Sequence, residues 1–569
     1  MTRRRSRTSV KKSLRRNLRV GAPALGDCVP LAADTVRPLQ SPRLRLRPFS
    51  RHVKTGISPV TAGVFAAAIA IAVVVYQPFE ARPFKFLDFP EFFSLLEGRG
   101  SFADRTSGLI EYYKGQGRAN LLAYASIAIR WALFGRDTAA WQLARVVVMC
   151  GLMAVCYCLF RRLWCSRVGS VAGASLFVTT EAAAQGWLRM SMMEPLATLL
   201  MVCAALLASR FQRVGNWGRQ LLGIAGLVAA AILTKEVIIA AVPLVLLAGL
   251  IVSADGMPAR PAFSRRNVFF GGGLAAASVA ALVPTLLATR AASASAYALS
   301  YGADRLQPSR ILSFLFVTLV PFDAFAPNLA AVLATCSYVL VLAIGLGAAW
   351  RSTTQPRTPW AAVVISVVVA VCGALVYFPW PSFEPFYTIP FLVATGLLLG
   401  TAVTAIERQR RAVRSAAYGG LMIVSTYSIS GAYARAQRTA AAQRLVDRTT
   451  VSIANVPDVD TAVFAVATLH PKAWQGPGPT FARYATAVRH LPFPNVRDEQ
   501  CESVLGHLTT AGARTLFVVL SSQCPVPSTV DLAVDERFQR WDWERLRFAR
   551  DSLRAGMVRG RVHPESNLK

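Results

Sequence analysis

The chain has 569 residues, of which 54% are hydrophobic and only 16% are charged, and its formal net charge is +32. Apolar runs of near-spanning length recur through two thirds of the chain, and a helical span needs roughly 20 apolar residues. The composition therefore predicts a polytopic α-helical membrane protein. The positive charge lies mainly in the first residues and in short loops between apolar runs, which argues against a nucleic-acid partner.

Residues 1–57 form a basic tail. Arginine and lysine far outnumber its two acids, Asp27 and Asp34, and no apolar periodicity supports a fold. We expect this tail to be disordered on an anionic cytoplasmic membrane surface. The apolar run Val60–Tyr76 follows without a clear small-residue cleavage site, so it predicts a signal anchor that is retained.

Ten further apolar runs follow the anchor, so the sequence predicts about 11 transmembrane helices within a domain of residues 58–434. Two other segments, Leu121–Phe134 and Ile311–Val320, are expected to be interfacial or partly inserted. Glu181 is the main ionisable residue inside a predicted span. The ten runs are Trp141–Phe160, Val168–Trp187, Pro195–Ser209, Gln220–Leu233, Val237–Val252, Val268–Ala288, Ala330–Trp350, Trp360–Phe378, Phe386–Ala405 and Ala416–Tyr433.

Arginine placement predicts the orientation. Alternate loops carry arginines, at residues 161–167, 210–219, 260–266, 351–357 and 408–414. The positive-inside bias places all five loops in the cytoplasm, and the opposite loops hold acids and aromatic residues. This bias also puts the N-terminus on the cytoplasmic side of a bacterial-type plasma (inner) membrane, and an odd number of spans then puts the C-terminal end on the opposite side. Everything after about residue 434 is expected outside.

Residues 435–569 change character and predict an extracytoplasmic α/β domain. The β-branched runs Thr461–Thr468 and Thr515–Leu520 indicate strands, whereas Phe481–His490 and Glu499–Ala511 have helical spacing. In this topology the two cysteines of the domain lie on the oxidising side. Whether they form a disulfide stays open. They are Cys501 and Cys524.

The distribution of histidine gives no sign of a metal centre. None of the five histidines lies in a predicted span, which disfavours a His-ligated catalytic metal. Oxygen ligands could still recruit a divalent cation. The sequence therefore predicts no cofactor and does not favour a metal.

The stretch Lys85–Gly98, in the first outer loop (residues 78–140), carries the first candidate site. Asp88 and Glu91 lie among aromatic residues directly after the anchor. A carboxylate held beside hydrocarbon loses hydration, so acids at this depth are costly and suggest a site. The alternative is an interfacial amphipathic helix whose acids face water.

Three further segments carry polar groups at the same predicted membrane face. Each group alone is explained by snorkelling of a long side chain or by an interfacial aromatic belt. Their convergence indicates a binding site for a polar, sugar-like group carried on an anionic lipid. The segments are Trp187–Pro195 with Arg189 and Glu194, Thr234–Glu236 with Lys235 and Glu236, and Pro379–Tyr387 with Glu384 and Tyr387.

These segments resemble the motifs of a known superfamily. Asp88–Phe93, continuing to Gly98, looks like the first-loop acidic motif of GT-C-type glycosyltransferases, which include aminoarabinose transferases and protein mannosyltransferases. Relatives often place two acids adjacent in this loop, whereas here Asp88 and Glu91 are three apart, and Asp88 is the matching position. Later segments resemble family motifs in the same order: Leu133–Arg145, Leu233–Glu236 followed by Pro243, and Glu384 with Tyr387 and Pro390.

The resemblance implies a glycosyltransferase of inverting type that uses a polyprenyl-phosphate sugar donor and a lipid, glycan or protein acceptor of the cell envelope. It assigns Asp88 as catalytic base, Glu91 as an orienting group, and Lys235 or Arg189 as the phosphate ligand. The other substrate-binding candidates are Glu194, Glu236, Glu384 and Tyr387.

Two other function classes compete with this assignment. A transporter or flippase of lipid-linked glycan would use discontinuous helices and ionisable residues near the bilayer midplane. A non-catalytic membrane scaffold would use the C-terminal domain to bind partners. The sequence shows neither a convincing internal repeat nor a cluster of charges within the predicted spans, where Glu181 is the main exception, and this favours the enzyme.

Overall fold

The fold is described from a computed structural model of the chain. The basic tail and the candidate residues Asp88, Glu91, Arg189, Glu384, Cys501 and Cys524 lie outside the described residues. The described residues are 59–76, 93, 95–115, 117–188, 193–213, 215–252, 264–291, 308–320, 328–351, 357–377, 385–454, 463–468, 495–500, 508–509, 514–520, 534–542 and 547–562.

The described chain is helical up to residue 454. The helices of its first half are α1 (Pro59–Tyr76), α2 (Phe102–Gly115), α3 (Leu121–Phe134), α4 (Thr138–Arg162), α5 (Arg167–Thr179), α6 (Glu181–Leu188), α7 (Glu194–Ala208) and α8 (Trp217–Thr234), with a short 3-10 turn at Phe211–Arg213. Later come the 3-10 helix Glu236–Ala241, α9 (Val242–Leu247), a π-helical turn Ala248–Val252, α10 (Arg265–Ala291), α11 (Pro308–Leu319), α12 (Leu329–Arg351), α13 (Arg357–Tyr377), the 3-10 helix Pro385–Phe391, α14 (Leu392–Ile406) and α15 (Arg411–Ala454).

Within the described part of the chain, six helical segments are long and apolar enough to cross a membrane. This confirms the prediction of a multi-pass helical membrane protein, whereas a total of 11 spans stays a prediction. Shorter apolar helices include the end of α1, α3, α7 and the segment Glu236–Ile251. The six are Thr138–Arg162, Trp217–Thr234, Arg265–Arg290, Leu329–Arg351, Trp360–Tyr377 and Tyr387–Ile406.

The prediction of one continuous span over Val168–Trp187 is wrong, because the helix breaks at Thr180. The backbone of Thr180 is extended, and its hydroxyl both donates to the carbonyl of Leu176 and accepts from the amide of Ala183, at 2.8 and 3.2 Å. One side chain thus ends α5 and begins α6. The break also frees carbonyls of the last turn of α5, and buried side chains of other segments donate to them.

The predicted span Val237–Val252 is not a uniform α-helix either. It begins as the 3-10 helix Glu236–Ala241, becomes α-helical at Val242 and ends in the π-helical turn. Pro243 lies in the first turn of α9, where a missing amide donor costs nothing because that amide has no partner in the helix. This irregular segment carries Glu236 at its start.

Close glycine contacts hold α5 against α14. A Cβ atom on Gly169 would lie 2.3 Å from the carbonyl oxygen of Gly400, and one on Gly173 would lie 2.3 Å from that of Gly396. Glycine pairs of this spacing let two membrane helices approach at backbone distance. Gly173 follows Gly169 in α5, whereas its partner Gly396 precedes Gly400 in α14, so α5 and α14 are antiparallel.

The described residues after 454 form strands. The strand order is β2-β1-β4-β6-β3, and β5 pairs with β6. Strand β1 is parallel to β2 and β4, whereas the pairs of β6 are antiparallel. The strands are β1 (Val463–Thr468), β2 (Asn495–Gln500), β3 (Leu508–Thr509), β4 (Arg514–Leu520), β5 (Val534–Asp542) and β6 (Arg547–Val562).

These strands decide part of the C-terminal prediction. The strands predicted over Thr461–Thr468 and Thr515–Leu520 are confirmed by β1 and β4. The helix predicted over Glu499–Ala511 is wrong where it is described, because Glu499 and Gln500 pair with β1 and residues 508–509 pair with β6. Parallel pairing of β2 with β1 therefore overrides the helical spacing of this segment. The helix predicted over Phe481–His490 lies outside the described residues.

Candidate functional site

Two of the candidate residues, Lys235 and Glu194, form a buried ion pair. Lys235 has an extended backbone at the end of α8, and Glu194 is the first residue of α7. The Nζ atom of Lys235 lies 3.3 Å from Oε1 of Glu194, and the two side chains are 17% and 4% exposed. The pair thus joins residues that are 41 positions apart in the sequence, one at the end of α8 and the other at the start of α7.

Two arginines, the buried Arg145 and the half-buried Arg130, extend this pair and were not recognised in the sequence. Arg145 in α4 is only 3% exposed and interacts electrostatically with Glu194 and with Arg130 of α3. The guanidinium of Arg130 lies 4.9 Å from the centroid of the Trp141 ring, and its Nη2 lies 3.8 Å from the sulfur of Met193. An aromatic face stabilises a cation whose hydration is reduced by burial.

Glu236 occupies the next position on the same side. The charges of Lys235 and Arg118 act on its carboxylate, and Asn120 forms a side-chain hydrogen bond with it. Burial raises the pKa of Glu236, but these two charges and the hydrogen bonds outweigh burial and hold that pKa below its usual range. Glu236 is therefore ionised at neutral pH, at the boundary of the predicted span Val237–Val252.

We call the group formed by these side chains the cationic cluster. Its six members are Arg118, Arg130, Arg145, Lys235, Glu194 and Glu236. Among the described residues, four cations and two carboxylates leave an excess of positive charge in a site of low exposure. Such an excess is costly unless an anion shares the site, and arginine and lysine together suit a phosphate group. The arrangement can therefore bind a phosphate.

The cationic cluster also offers polar groups that suit an uncharged, hydroxyl-rich molecule. Oδ1 of Asn120 and Oε2 of Glu236 are buried and have no hydrogen-bond partner among the described residues. Both atoms are acceptors, and an unpaired buried acceptor costs about 1–3 kcal/mol. A sugar hydroxyl that donates to either atom would remove that cost.

The end of the first outer loop packs against this site. Phe93 is fully buried, and its ring centroid lies 4.8 Å from that of Trp131 and 6.2 Å from that of Trp141. Trp141 is the ring that supports Arg130. An ion pair between Glu97 and Arg136 fastens the same segment to the turn after α3. Phe93, two residues after Glu91, thus packs against Trp141, the ring that contacts Arg130 of the cationic cluster.

The segment Leu133–Arg145, one of the family-like motifs, divides into structural and chemical residues. Gly135 has a positive φ of 52°, and its carbonyl accepts from the indole of Trp141 at 3.0 Å. The carboxylate of Asp137 accepts from the amides of Ala139 and Ala140, so it is the N-cap of α4. Arg145 then projects into the cationic cluster two turns later.

Gln142 connects α4 to the outer segment of Arg189. Its side-chain amide donates to the carbonyl of Trp187 at 2.6 Å, near the end of α6. Trp187 is fully buried, and its indole donates to Phe177 of α5. Trp187, two residues before Arg189, is therefore held by a helix that also carries a cluster arginine.

Tyr387 lies in an aromatic group. Its ring centroid is 5.0 Å from that of Tyr377, which stacks on Phe314 at 5.4 Å. The 3-10 helix that carries Tyr387 contacts α6, α7 and the 3-10 helix Glu236–Ala241. The structure thus brings Lys235, Glu194 and Glu236 together and gives Tyr387 ring contacts beside them.

The described residues contain no group of three or more His, Cys, Asp or Glu side chains that could hold a metal ion. Asp88, Glu91 and Glu384 lie outside these residues. The expectation of no metal therefore stays a prediction.

The fold was compared with solved structures. It is similar to ArnT from Cupriavidus metallidurans bound to undecaprenyl phosphate, with a TM-score of 0.45, 13% identity, and coverage of 88% of this chain and 98% of that one. It is similar to the Archaeoglobus fulgidus oligosaccharyltransferase, with a TM-score of 0.41, 13% identity, and coverage of 77% and 64%. It is also similar to the mycobacterial arabinofuranosyltransferase AftD, with a TM-score of 0.41, 15% identity, and coverage of 81% and 37%.

The sequence matches no protein-family model and no curated protein. The chain spans less than two thirds of the length of the oligosaccharyltransferase and of AftD. By their names these two are sugar transferases, the kind of enzyme that the sequence motifs resemble. At these TM-scores and identities the likeness does not by itself assign an activity.

Proposed function

We propose that this protein is an integral membrane glycosyltransferase that moves a sugar from a polyprenyl-phosphate donor to a cell-envelope lipid, glycan or protein. The observation that carries the proposal is the cationic cluster. Four cations converge on two carboxylates at the ends of apolar helices, and the phosphate of a lipid-borne donor is complementary to such a group. The bound phosphate offsets the excess positive charge.

The donor phosphate is assigned to Lys235, Arg145 and Arg130. Lys235 supplies a compact charge, whereas the arginines supply planar forks that match phosphate oxygens. Glu194 is a positioning residue, because it pairs with Lys235 and interacts with Arg145. Arg189, which follows α6 directly in the sequence, is assigned to the same phosphate as a further cation. When the sugar–phosphate bond breaks, these groups stabilise the negative charge on the leaving phosphate.

The sugar is assigned to the acceptors beside the phosphate site. Asn120 and Glu236 offer buried oxygens, and hydrogen bonds from sugar hydroxyls to them would fix the ring. A site built to hydrogen-bond a hydroxyl rejects an analogue that lacks it. Glu384 and Tyr387 complete the set of sequence-based substrate contacts.

The acceptor is activated by Asp88, with Glu91 as the orienting carboxylate. The acceptor hydroxyl oxygen attacks the anomeric carbon, its proton passes to Asp88, and the bond from that carbon to the phosphate oxygen breaks. The products are the glycosylated acceptor and a polyprenyl phosphate, and one displacement inverts the anomeric configuration. Glu91 precedes Phe93 by only two residues, and a chain spans at most about 3.6 Å per residue. The short tether to Phe93 therefore supports the assignment of this loop to the same site.

In the proposed topology the N-terminus is cytoplasmic and the domain of residues 435–569 is extracytoplasmic. The chemistry then takes place at the outer face, where a lipid-linked donor is needed because nucleotide sugars are normally cytoplasmic. The supporting observation is that Lys235, Glu194 and Glu236, all placed at this face by the arginine pattern, meet in one site.

A direct transfer assay tests the proposal. Purified protein in lipid nanodiscs is supplied with a radiolabelled polyprenyl-phosphate sugar and an envelope extract. We expect labelled product with the native protein and at most a few per cent with Lys235→Ala. Lys114→Ala is the matched control, since Lys114 is exposed at the end of α2. Mass analysis of envelope glycans with and without the protein then identifies the sugar and acceptor.

A flippase of lipid-linked glycan is the second candidate, because the structure supplies two features that such a protein would use. The α5–α6 helix is broken at Thr180, and the apolar helices α3 and α4 carry the half-buried Arg130 and the buried Arg145. Both candidates bind the same donor, so binding does not separate them. Cleavage of the sugar–phosphate bond separates the two candidates. A protein that moves the intact donor between leaflets without cleaving this bond is a flippase.

A further inference from the structure

A cavity lies at the end of the helices that is opposite to the cationic cluster. Its volume is about 620 Å³, within the range of about 300–1,000 Å³ that is usual for ligand pockets. It is bounded by the ends of α12 and α14, by the start of α15 and by Trp164 in the turn after α4. Because α5 and α14 are antiparallel, the last turn of α14 lies at the Arg167 end of α5, away from α6 and Glu194.

The inner wall of this cavity is apolar. It is formed by small side chains of α12, among them Ala343, Gly347 and Ala348. Two hydroxyls also face it, but Thr401 donates to the carbonyl of Leu397 at 2.8 Å and Thr404 donates to that of Gly400 at 2.6 Å. With both protons used within α14, the wall suits a hydrocarbon chain.

The mouth of the cavity is cationic. Arg351 ends α12, Arg408 follows α14, and both are exposed side chains that line the cavity together with Gln409. Glu407 is the neighbour of Arg408 in sequence but is not part of the lining. Two guanidinium forks and an amide at the entrance of an apolar cavity are complementary to a phosphate that carries a hydrocarbon chain.

Aromatic residues place this mouth at the depth of lipid headgroups. Trp350 and Trp360 are 59% and 48% exposed, and their ring centroids are 4.3 Å apart beside Arg351. Exposed tryptophans of membrane proteins concentrate at the membrane–water interface. Trp164, Arg351 and Arg408 also come from three of the five loops that the arginine pattern assigns to the cytoplasmic face, where anionic lipids are concentrated.

We propose that this cavity binds one anionic phospholipid of the surrounding bilayer. The phosphate lies between Arg351 and Arg408, and one acyl chain lies along the wall formed by Ala343, Gly347 and Ala348. The site is separate from the cationic cluster and does not depend on glycosyl transfer.

Lipid retention tests this site with the full-length protein. The protein is purified in detergent, mixed with equal amounts of phosphatidylglycerol and phosphatidylcholine, and examined by native mass spectrometry. We expect about one retained phosphatidylglycerol per chain and at least a 10-fold smaller fraction in the double variant Arg351→Gln/Arg408→Gln. Arg410→Gln is the control, because Arg410 is exposed in the same loop and does not line the cavity.

A second variant tests the acyl-chain wall without changing charge. A Cβ atom on Gly347 would meet no atom within 4 Å, so Gly347→Leu adds bulk to the cavity with no backbone clash. We expect it to lose the retained phospholipid at unchanged melting temperature. Gly272→Leu is the control, since a Cβ at Gly272 also meets nothing and Gly272 lies outside the cavity.

Three results would overturn the proposal. One is equal retention of phosphatidylcholine and phosphatidylglycerol, and another is full retention in both the arginine and the Gly347→Leu variants. The third is displacement of phosphatidylglycerol by undecaprenyl phosphate at equal or lower concentration, which would assign the cavity to the carrier lipid. If the arginine variant does not fold, the Gly347→Leu result decides.

Discussion

The pair of Lys235 and Glu194 allows a structural role to be separated from a binding role. Lys235→Met removes the charge and keeps most of the apolar stem. Two unit charges at 3.3 Å interact by about 5 kcal/mol at an effective dielectric constant of 20. Breaking a buried pair from one side costs about 3–5 kcal/mol. Because Arg145 also interacts with Glu194, we expect a loss of folding free energy near the lower value.

The double variant Lys235→Met/Glu194→Gln removes both charges. We expect it to recover part of the stability, since the Glu194 carboxylate no longer lacks its partner, whereas Glu236 still loses the charge of Lys235 and Arg145 loses that of Glu194. It should not recover donor binding, because the phosphate still lacks the ammonium group. A charge-assisted contact contributes about 1.5–3 kcal/mol, so affinity for the polyprenyl-phosphate donor should fall about 10- to 100-fold in both variants.

The melting temperature in one detergent reports the change in stability. Equilibrium binding of a radiolabelled donor measures the donor affinity. Lys114→Met is the control for both, because Lys114 is exposed. Native donor affinity in the stable double variant would refute the assignment of Lys235 to the phosphate. Its role would then be limited to holding α7 against α8.

Three other predictions concern the reaction, the topology and helix packing. Asp88→Asn should abolish transfer at unchanged abundance while Glu91→Gln loses less; near-native turnover of purified Asp88→Asn would rule it out as the base. A reporter active only in the cytoplasm, fused after Lys569, should give no signal, and a strong signal would contradict the external C-terminus. Gly173→Val should lower the melting temperature, because even a Cβ would lie 2.3 Å from a carbonyl oxygen of α14, whereas Gly223→Val, in open space, should lower it less.

Helix positions could largely be predicted because the apolar runs are long. The described helices overlap the predicted spans wherever both exist, and two β-branched runs were confirmed as strands. Glu499–Ala511 shows the limit: its periodicity favours a helix, yet Glu499 and Gln500 pair with β1. Such pairing depends on residues 32 positions earlier, Ala467 and Thr468, so a local pattern cannot reveal it.

The cationic cluster could be predicted only in part. Lys235, Glu194 and Glu236 were found because they stand at the ends of apolar runs, where a charge is conspicuous. Arg145 lies within the predicted span Trp141–Phe160, and Arg130 lies within an amphipathic segment, where an arginine is expected to reach the interface. Arg130 lies over the Trp141 ring because α3 contacts α4, and no local pattern encodes that contact or the burial of Arg145.

The break at Thr180 leads to the last prediction. A broken membrane helix needs donors for the carbonyls that lose their helical partners, because no water reaches them in the bilayer. Tyr76 of α1 donates to the carbonyl of Val178, and Trp187 donates to that of Phe177 at 2.8 Å. The anchor helix therefore contributes a structural hydrogen bond to the segment that leads to Arg189.

Tyr76→Phe removes that donor with almost no change in volume. An unsatisfied buried carbonyl costs about 1–3 kcal/mol, so we expect a lower melting temperature and a loss of donor affinity through displacement of α6. Tyr157→Phe is the matched control, because Tyr157 is also buried beside α1, where its ring packs on Phe65 with centroids 5.1 Å apart. If Tyr76→Phe and Tyr157→Phe have the same melting temperature and the same donor affinity, the hydrogen bond from Tyr76 does not stabilise the break. The Thr180 hydroxyl, which bonds to both α5 and α6, would then be sufficient to define it.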